Sequence, residues 1–502
     1  MKTTLFALTL ITACAQQMSA QSLTDTAVVE KNIHAEIGLK LTGTGNGQVP
    51  FWMRSNQFGD IPVDGVSIGA FGSLRREYAS SRKKLADWGA GVDAVLYAGK
   101  DVKFIPIEAY LKGRLGIFQL KAGRSRDIVG VTDSTLSVGS FALSGNALGI
   151  PKVEISVPEF WSVPFLSRVL AFKGAFSYGW MGKVPIQYGD LDGTSVASYF
   201  HNASFHARLG KPEWKVNLFA GINHEVIWGS DKAIFGDQYN LSDLDAFWHV
   251  ITGKKYTKHG LKRDISKIGN HLGAVDLGFQ ILTGQSRILA YRQFFYDKGA
   301  LGHLANVKDG LTGLSITNTS SADQQWKWTK FLFEFFYSKN QAGEADSKET
   351  PSGPEYYYNH AVYTEGYAYD GVGLGTPLIT PASHIRANLP NAPINYFANN
   401  RVIAFHFGTE GRVSGLIYKL KVTYSQNYGD YRASDISYWY NGNRYKRDPV
   451  YGIFPKVNQF SGIAEVAMPL SNGLNIGAAL AVDQGRLLYN SLGGSLKVSK
   501  TW

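Results

Sequence analysis

The sequence predicts an all-β protein, a transmembrane antiparallel β-barrel of 16 or 18 strands. Three observations predict this fold class: an N-terminal export signal, long segments that alternate apolar and polar side chains, and an aromatic C-terminal residue. Charged residues make up 18% of the chain and aromatic residues 13%, which excludes an intrinsically disordered protein. A single barrel can use 502 residues, so we expect one barrel domain over residues 21–502.

Residues 1–20 have the layout of a secretory signal peptide, with a basic start, an apolar run from Leu5 to Cys14, and small residues before the expected cleavage at Gln21. Cys14 is the only cysteine, so the exported chain has no thiol, disulfide or Cys-ligated metal. The same letters fit a looser lipoprotein pattern that would lipidate Cys14, and this alternative ranks second. No later stretch approaches the roughly 18 apolar residues of a spanning helix, so any membrane spans are strands.

Period-two alternation marks the predicted strands. In one of them Trp88, Val92 and Leu96 share a face opposite Asp87 and Gly91. The pattern recurs in residues 33–43, 66–78, 103–112, 117–125, 169–180, 203–223, 275–281, 286–296, 329–338, 401–410, 416–425, 456–468, 474–483 and 492–502. Globular strands commonly run about five or six residues, whereas outer-membrane strands need about 9–11. The lengths therefore favour an outer-membrane barrel over a soluble multi-sandwich protein.

The C-terminus adds an independent signal. The last alternating segment ends at Trp502, as the terminal strands of outer-membrane barrels do when insertion machinery reads them. We therefore expect the barrel insertion machinery and outer-membrane lipid among the partners, and the cell outer membrane as the location.

Three stretches break the strand pattern, and we expect elaborated loops at about 241–270 and 340–400. Residues 241–254 have helical apolar spacing with an acidic first turn. Residues 340–354 are polar, as a surface loop would be. Residues 355–400 are rich in Tyr, Asn, Gly and Pro, which predicts a long loop over or inside the barrel.

Catalytic and metal-binding signatures are weak. The run Gly65 to Gly69 has the letters of a nucleophile elbow, but Ser67 opens an alternating strand and not a strand-to-helix turn. The 11 histidines include no H-E-x-x-H motif. Carboxylates such as Asp93 and Glu108 fall on polar strand faces. A carboxylate pair could cleave glycosides only if held about 5–9.5 Å apart, a separation that sequence does not show. We therefore expect no enzyme activity, no metal and no cofactor.

Lys and Arg side chains on the polar strand faces indicate which class of partner the barrel could bind. The net charge is +11, and Lys112, Arg114, Arg287, Lys419 and Lys421 accompany the aromatic residues Tyr97 and Tyr110. Cations beside aromatic rings suit an acidic sugar polymer. The alternative for any single residue is an ordinary ion pair inside the barrel. Nucleic acid is not an expected partner of an exported barrel.

Six blocks, in order along the chain, then carry a family resemblance. They are VPFWMRSNQFG at 49–59, residues 108–112 with 122–124, residues 136–151, NHEVIWG at 223–229, residues 309–311, and residues 400–408. Together they resemble the Wzi-type capsule-assembly family of outer-membrane proteins, most closely its Bacteroidota version. Two departures are Gly145, where we expect a more polar residue, and residues 340–400, which have no counterpart.

The resemblance implies an 18-stranded barrel whose lumen is occluded by short helices and long loops. It also implies a lectin-like role without catalytic chemistry. The polysaccharide-binding candidates that it suggests are Arg54, Asn56, Tyr110, Arg124, Asn146, His224, Trp228 and Asp309. For Arg124, Asn146 and Asp309 a structural role is the preferred interpretation, because a buried polar network stabilises a plug as readily as it binds sugar.

Three functions remain to be compared. The first is a closed barrel that binds and retains an acidic or neutral capsular or related surface polysaccharide, acting as a monomer. The alternative is an outer-membrane porin for small or anionic solutes, and sustained large conductance would support it. The third is a membrane-embedded hydrolase or acyl-modifying enzyme that acts on surface glycans, for which no sequence signature stands out.

Overall fold

The described residues form one closed barrel of 18 antiparallel strands in a computed structural model of the chain. The structure describes residues 32–502 except 64, 80–84, 237–238, 240, 257–266, 322–324, 346, 348, 351–352, 435–436 and 447–449. The first strand pairs with the last, with Glu36 opposite Thr501, so the sheet has no free edge. The predicted export segment, with Cys14 and the cleavage before Gln21, lies outside the described residues.

The strands are numbered in chain order. They are β1 (Ile33–Thr44), β2 (Ser67–Arg76), β3 (Ala86–Ala98), β4 (Val102–Leu115), β5 (Phe118–Arg124), β6 (Lys152–Ser162), β7 (Leu170–Pro185), β8 (Ser195–Leu209), β9 (Val216–Trp228), β10 (Asn270–Leu282), β11 (Ser286–Tyr296), β12 (Gly310–Asn318), β13 (Trp326–Tyr337), β14 (Val402–Val413), β15 (Leu416–Asn427), β16 (Val457–Pro469), β17 (Leu474–Gly485) and β18 (Ser491–Thr501).

The larger of the two expected strand numbers is confirmed, with local differences. The pattern at 203–223 spans two strands, β8 and β9, on either side of a turn. Two strands, β6 and β12, lie outside the predicted segments. The pairing of β6 with β7 shifts register between Val157 and Trp161, which interrupts strict alternation. Strand β12 is short and begins on a glycine, so its apolar signal is weak.

The outer wall of the barrel is apolar, as the alternation predicts. Trp88, Val92 and Leu96 of β3 are each about half exposed, and so are Leu277 and Phe279 of β10. The neighbouring positions on the same strands point inward and are buried, polar side chains among them. An apolar outer wall and a polar lumen are the pattern of a membrane-spanning barrel.

The two ends of the barrel differ in the length of their connections. At one end, which we call the short-turn end, successive strands are joined by turns such as 116–117, 283–285 and 414–415. At the other, the long-connection end, the segments 229–269 and 338–401 link neighbouring strands.

Three long-connection segments fold back into the lumen and form what we call the plug. They are residues 49–63, 125–151 and 355–400, and their buried side chains pack with inward-facing strand residues such as Phe295 and Phe336 in one apolar core. Phe141 is fully buried and stacks on Phe295 at 4.1 Å between ring centroids. The occluded lumen implied by the family resemblance is thus present.

The helices that the described residues form are few and short. They are α1 (Phe51–Arg54), α2 (Asp231–Phe235) and α3 (Asp243–Thr252), with 3-10 turns at Pro164–Leu166, Gly189–Leu191, Ala300–His303, Ala382–His384 and Ser471–Gly473. Helix α3 confirms the helical spacing predicted for 241–254. Within the part of the chain described, no helix has the length and apolar content needed to cross a membrane.

The expectation of a surface loop at 340–354 is wrong for several of its side chains. Gln341 and Ala342 are almost fully buried, and Ser347 and Thr350 are buried as well. Gln341 donates from Nε2 to the carbonyl oxygens of Ser338 and Asn400, at 3.1 and 3.0 Å. Polar composition does not indicate exposure here, because the buried polar groups find partners within this connection and at Asn400 of the plug.

Candidate functional site

Two large cavities lie inside the barrel among the described residues, one toward each end. The larger, which we call the inner cavity, has a volume of about 480 Å³ and reaches the short-turn end at His34, Glu77 and Trp502. The smaller, the outer cavity, has a volume of about 300 Å³ and lies at the long-connection end beside Val63 and Lys103. The two cavities share no lining residue.

A hydrogen-bonded layer of plug residues separates the cavities. The Asn56 amide donates to Asn146 Oδ1 at 3.1 Å, and Asn146 Nδ2 donates to the Gly373 carbonyl at 3.0 Å. Gly145 has a φ of +80°, and a Cβ there would lie 2.7 Å from the Phe58 ring. The unexpected glycine is therefore required by the close packing of this layer.

The outer cavity combines cations, aromatic rings and apolar side chains. Its charged and aromatic lining consists of Arg54, Lys103, His384, Asp370, Phe51 and Tyr369. Ile61, Ile105 and Ile379 complete the wall beside the main chain of residues 370–373. An apolar hollow of this size with a few convergent polar groups is the usual form of a ligand site.

Arg54 lies at the end of α1, and its partners include Val49 and His384. It donates from Nε to the Val49 carbonyl at 3.2 Å and from Nη1 to His384 Nδ1 at 2.8 Å. Burial, and then the positive charge of Arg54, lower the pKa of His384 to about 3. The imidazole is therefore neutral at physiological pH and can accept this hydrogen bond, which leaves the site with the positive charge of Arg54.

The inner cavity is charged, and most of its charges are paired. The ion pairs on its wall include Lys40 with Asp60, Arg75 with Asp93 and Glu108, Arg126 with Asp93, Lys419 with Glu465, and Lys497 with Glu36. Arg75 and Glu108 lie only 2.5 Å apart. This cavity fits the alternative of ordinary ion pairs inside the barrel better than a cationic sugar site.

Of the eight sequence-predicted candidates, four line a cavity. Arg54 and Asn146 line the outer cavity, and Asn56 and Tyr110 line the inner one. Arg124 instead fixes the plug to the wall, with Nη1 donating to the Pro106 carbonyl and Nη2 to the Tyr369 hydroxyl, each at 3.0 Å.

His224 and Trp228 lie on the outer wall, away from both cavities. Each shares the outward parity of β9 with the exposed Leu218 and Ile222. Helix α3 covers Trp228, which is 6% exposed, and His224 Nε2 lies 2.9 Å from His271 Nδ1. The even spacing of these positions along β9 can be read from the sequence, and it places both side chains on the outer face of the strand and not in the lumen.

Asp309 is an anchor of the plug and is fully buried. Its carboxylate accepts hydrogen bonds from the amides of Asn340 and Gln341 and from the Tyr357 hydroxyl, at 2.9, 2.7 and 2.7 Å. Burial raises the pKa of Asp309 to about 6, although these three donors oppose the rise.

This pKa predicts a pH-dependent contribution to stability. Because the folded state binds the proton more tightly than the unfolded state, the contribution of Asp309 is fully present below its ordinary pKa of 3.8 and is lost as pH rises toward 6. When the pH falls from 7 to 4, the free energy of unfolding of the natural chain should rise by about 2 to 3 kcal/mol more than that of Asp309→Asn. Denaturant unfolding of both proteins in detergent micelles tests this, and parallel pH profiles would contradict it.

Sequence reasoning missed part of the site. Lys103, Tyr369 and His384 come from a strand and two places in the plug, and only the fold brings them to Arg54. The segment 125–151 was not expected in the lumen, although its lack of strand alternation was a signal. Among the described residues, no cluster of three or more His, Cys, Asp or Glu is arranged to hold a metal ion.

Comparison with known proteins adds a family match. The family model described as capsule assembly protein Wzi matches residues 62–407, more than half of the chain. No curated protein sequence matches.

Solved structures resemble the fold at low sequence identity. Wzi of Escherichia coli, described as an outer membrane protein involved in group 1 capsule assembly and a carbohydrate binding β-barrel, is 11% identical with a TM-score of 0.52, covering 93% of this chain and 84% of that one. OccAB2 of Acinetobacter baumannii and OprD of Pseudomonas aeruginosa are each 10% identical with TM-scores of 0.45. Both matches cover 94% of this chain. They cover 98% of OccAB2 and 94% of OprD.

Proposed function

This chain belongs to the Wzi family of capsule assembly proteins, and on that premise we propose that it binds a surface polysaccharide in the outer cavity and retains the polymer on the cell. The similar barrel from Escherichia coli, described as carbohydrate binding, supports this proposal. Retention is noncovalent, so the function needs no catalytic step and no cofactor.

The observation that carries the proposal is the cationic and aromatic cavity at the long-connection end. Outer-membrane barrels expose their long loops to the outside and their short turns to the periplasm. The outer cavity therefore opens on the cell surface, where an exported polymer would meet it. The plug behind it keeps the polymer from entering the lumen.

The lining suits sugar recognition in three ways. Arg54 has guanidinium donors for carboxylates or hydroxyl oxygens, and Lys103 adds a second positive charge. Phe51 and Tyr369 offer ring faces on which sugar C–H groups can pack. Asp370 can accept hydrogen bonds from hydroxyl groups, so both acidic and neutral units fit this surface.

The other candidate residues have supporting roles in this proposal. Asn146 contributes to the floor of the outer cavity, while Asn56, Arg124 and Asp309 hold the plug. Tyr110 faces the inner cavity, and His224 and Trp228 stabilise the outer wall. We expect substitutions at these last three positions to leave polymer binding intact.

A porin requires a continuous aqueous passage, and the plug opposes that alternative. The packed core of the plug fills the lumen between the two cavities. Planar bilayer recordings of the purified barrel separate the two functions, because a retention barrel should give no sustained large-conductance steps.

The proposal is tested by polymer retention in a deletion strain and its complement. Cell-bound and released polysaccharide are measured separately, and total polymer serves as the control for synthesis. We expect polymer to shift from the cell surface to the medium without the protein and to return with it. Unchanged attachment in the deletion strain would overturn the proposal for this chain.

Removing the Arg54 side chain should weaken binding directly. An Arg54→Ala barrel is expected to bind the strain's own polysaccharide about 10- to 100-fold more weakly, the equivalent of one lost charge-assisted hydrogen-bonded group. Arg54→Lys should retain part of the affinity. Arg287→Ala removes the same charge from an exposed position at the short-turn end and is the matched control. Equal affinity of the Arg54→Ala and Arg287→Ala barrels would exclude Arg54 from the site.

A further inference from the structure

Helix α3 is a capped, amphipathic helix in the long connection between β9 and β10. Ser242 is its N-cap and accepts a hydrogen bond from the Asp245 amide, and Gly253 ends it in the left-handed region at φ 59°. The cap, the acidic first turn and the glycine stop make this short segment a defined helix.

The helix lies on the outside of the barrel wall. Its Ala246 and Val250 are buried and pack in one cluster with Val226 and Trp228 of β9. Phe247 contacts Phe176 of β7 at 6.2 Å between ring centroids. Phe176 is 39% exposed and Phe205, on the neighbouring strand, is 52% exposed, so this is the same apolar wall that faces lipid lower down.

The apolar surface of α3 continues beyond its contact with the barrel. Leu244 is 82% exposed and Trp248 59% exposed, and the two lie one turn apart on the same stripe. Asp245, His249 and Thr252 occupy the adjacent polar stripe. One flank of the helix is therefore apolar and unpartnered among the described residues, while the other is polar.

The height of α3 on the wall coincides with the edge of the membrane. Val216 and Trp228 end the same strand, twelve residues apart. At about 3.3 Å per residue and a tilt of about 40°, Trp228 lies about 30 Å above Val216. The apolar band of an outer-membrane barrel is about 25 Å tall. If the band is counted from Val216, the first outward apolar residue of β9, it ends close to Trp228 and the helix that covers it.

We propose that α3 is an interfacial helix, with Leu244 and Trp248 inserted into the outer leaflet of the membrane around the barrel. Three observations agree: the exposed stripe is continuous with the lipid-facing wall, the polar stripe can face water, and the exposed Lys254 and Lys255 follow the helix directly. Basic residues beside an apolar helix face complement the phosphate groups of lipid headgroups.

The inference explains a costly arrangement on this part of the wall. His201, His224 and His271 all occupy outward positions on β8, β9 and β10, where polar imidazole rings would otherwise lie against lipid. Phe247 of α3 packs on the His201 ring at 5.7 Å between ring centroids, and both His201 and His271 are buried. A helix anchored in the interface keeps this cover in place. The inference is independent of polysaccharide binding.

Spin labels at single cysteines test the proposal, because the chain from Gln21 onward has no cysteine of its own. Leu244→Cys and Trp248→Cys are the test positions and Thr252→Cys, exposed on the polar stripe, is the matched control. Leu277→Cys, half exposed on the lipid-facing wall, is the reference for lipid contact. Each full-length barrel is placed in vesicles of phosphatidylcholine and phosphatidylglycerol, and collisions with oxygen and with a water-soluble nickel chelate are measured.

The expected result is an oxygen-to-nickel ratio at positions 244 and 248 that approaches the Leu277 reference and exceeds the Thr252 control several-fold. Oxygen-to-nickel ratios at positions 244 and 248 that are as low as the ratio at the Thr252 control would place the stripe in water and overturn the proposal. Dipolar broadening that increases with protein density, with both quenchers excluded, would assign the stripe to a second copy of the chain and overturn it as well. Heat modifiability on gels confirms that each labelled barrel is folded.

Discussion

Replacing Glu355 with alanine should lower the free energy of unfolding by about 3 to 5 kcal/mol and loosen the plug. Glu355 is fully buried at the start of the plug segment 355–400. Its carboxylate accepts hydrogen bonds from four successive main-chain amides, those of residues 297 to 300, in the connection after β11. Alanine would leave these amides without their acceptor inside the protein.

Two further variants make this prediction specific. Glu355→Gln keeps one carbonyl oxygen but turns an NH₂ group toward the donors. Its free energy of unfolding should therefore lie between those of the natural chain and Glu355→Ala. Glu349→Ala changes an exposed glutamate in the same connection and should be neutral. Denaturant unfolding and planar bilayer conductance are measured together. The prediction is contradicted if Glu355→Ala unfolds with the same free energy as the natural chain and conducts no current. The plug segment 355–400 would then be held by other contacts.

Asp127→Ala is expected to have a similarly large effect, about 3 to 5 kcal/mol, at the other main plug segment. Asp127 lies 2.5 Å from Lys152 Nζ and 3.1 Å from Lys121 Nζ, and both lysines project from the barrel wall. Burial alone would raise the pKa of Asp127, but the two lysines hold it below its ordinary value. The carboxylate therefore stays ionised at neutral pH and contributes its full stabilisation there.

Removing Asp127 leaves two largely buried lysines to share Glu154, which lies 3.5 and 3.3 Å from them. Asp127→Asn keeps the shape of the side chain without its charge, so its free energy of unfolding should fall less than that of Asp127→Ala. Asp190→Ala, at an exposed aspartate of the connection after β7, is the matched control. Denaturant midpoints in detergent at pH 7 decide the prediction. Equal midpoints for Asp127→Ala and Asp190→Ala would contradict it.

The strands were predictable because a barrel wall repeats one physical rule. Lipid outside and a polar lumen inside force alternation, and the exposed Trp88, Val92 and Leu96 show that rule in the structure. Helix α3 was predictable from its cap and spacing, which are local. Where the rule is broken by a register shift, as in β6, the strand was missed.

The plug was not predictable from local pattern, since its order comes from distant partners. Ser137 and Val138 are held by Glu334 of β13, at 2.7 and 2.8 Å. Nothing in the run from Leu136 to Ile150 specifies that strand. The candidate residues followed from resembling blocks, which located Arg54 and Asn146 but did not distinguish cavity lining from wall packing. For Trp228, the strand parity settles that distinction.

The seam between β1 and β18 sets the order in which this molecule can be assembled. Glu36 meets Thr501 there, whereas other neighbouring strands pair with partners much closer along the chain. Contacts of such separation form late, because the closure entropy has to be overcome first. The plug segments interlock across the lumen, where the Ser144 amide donates to the Leu374 carbonyl at 3.1 Å. They therefore have to be gathered while the sheet is still open, and closing the seam locks them inside.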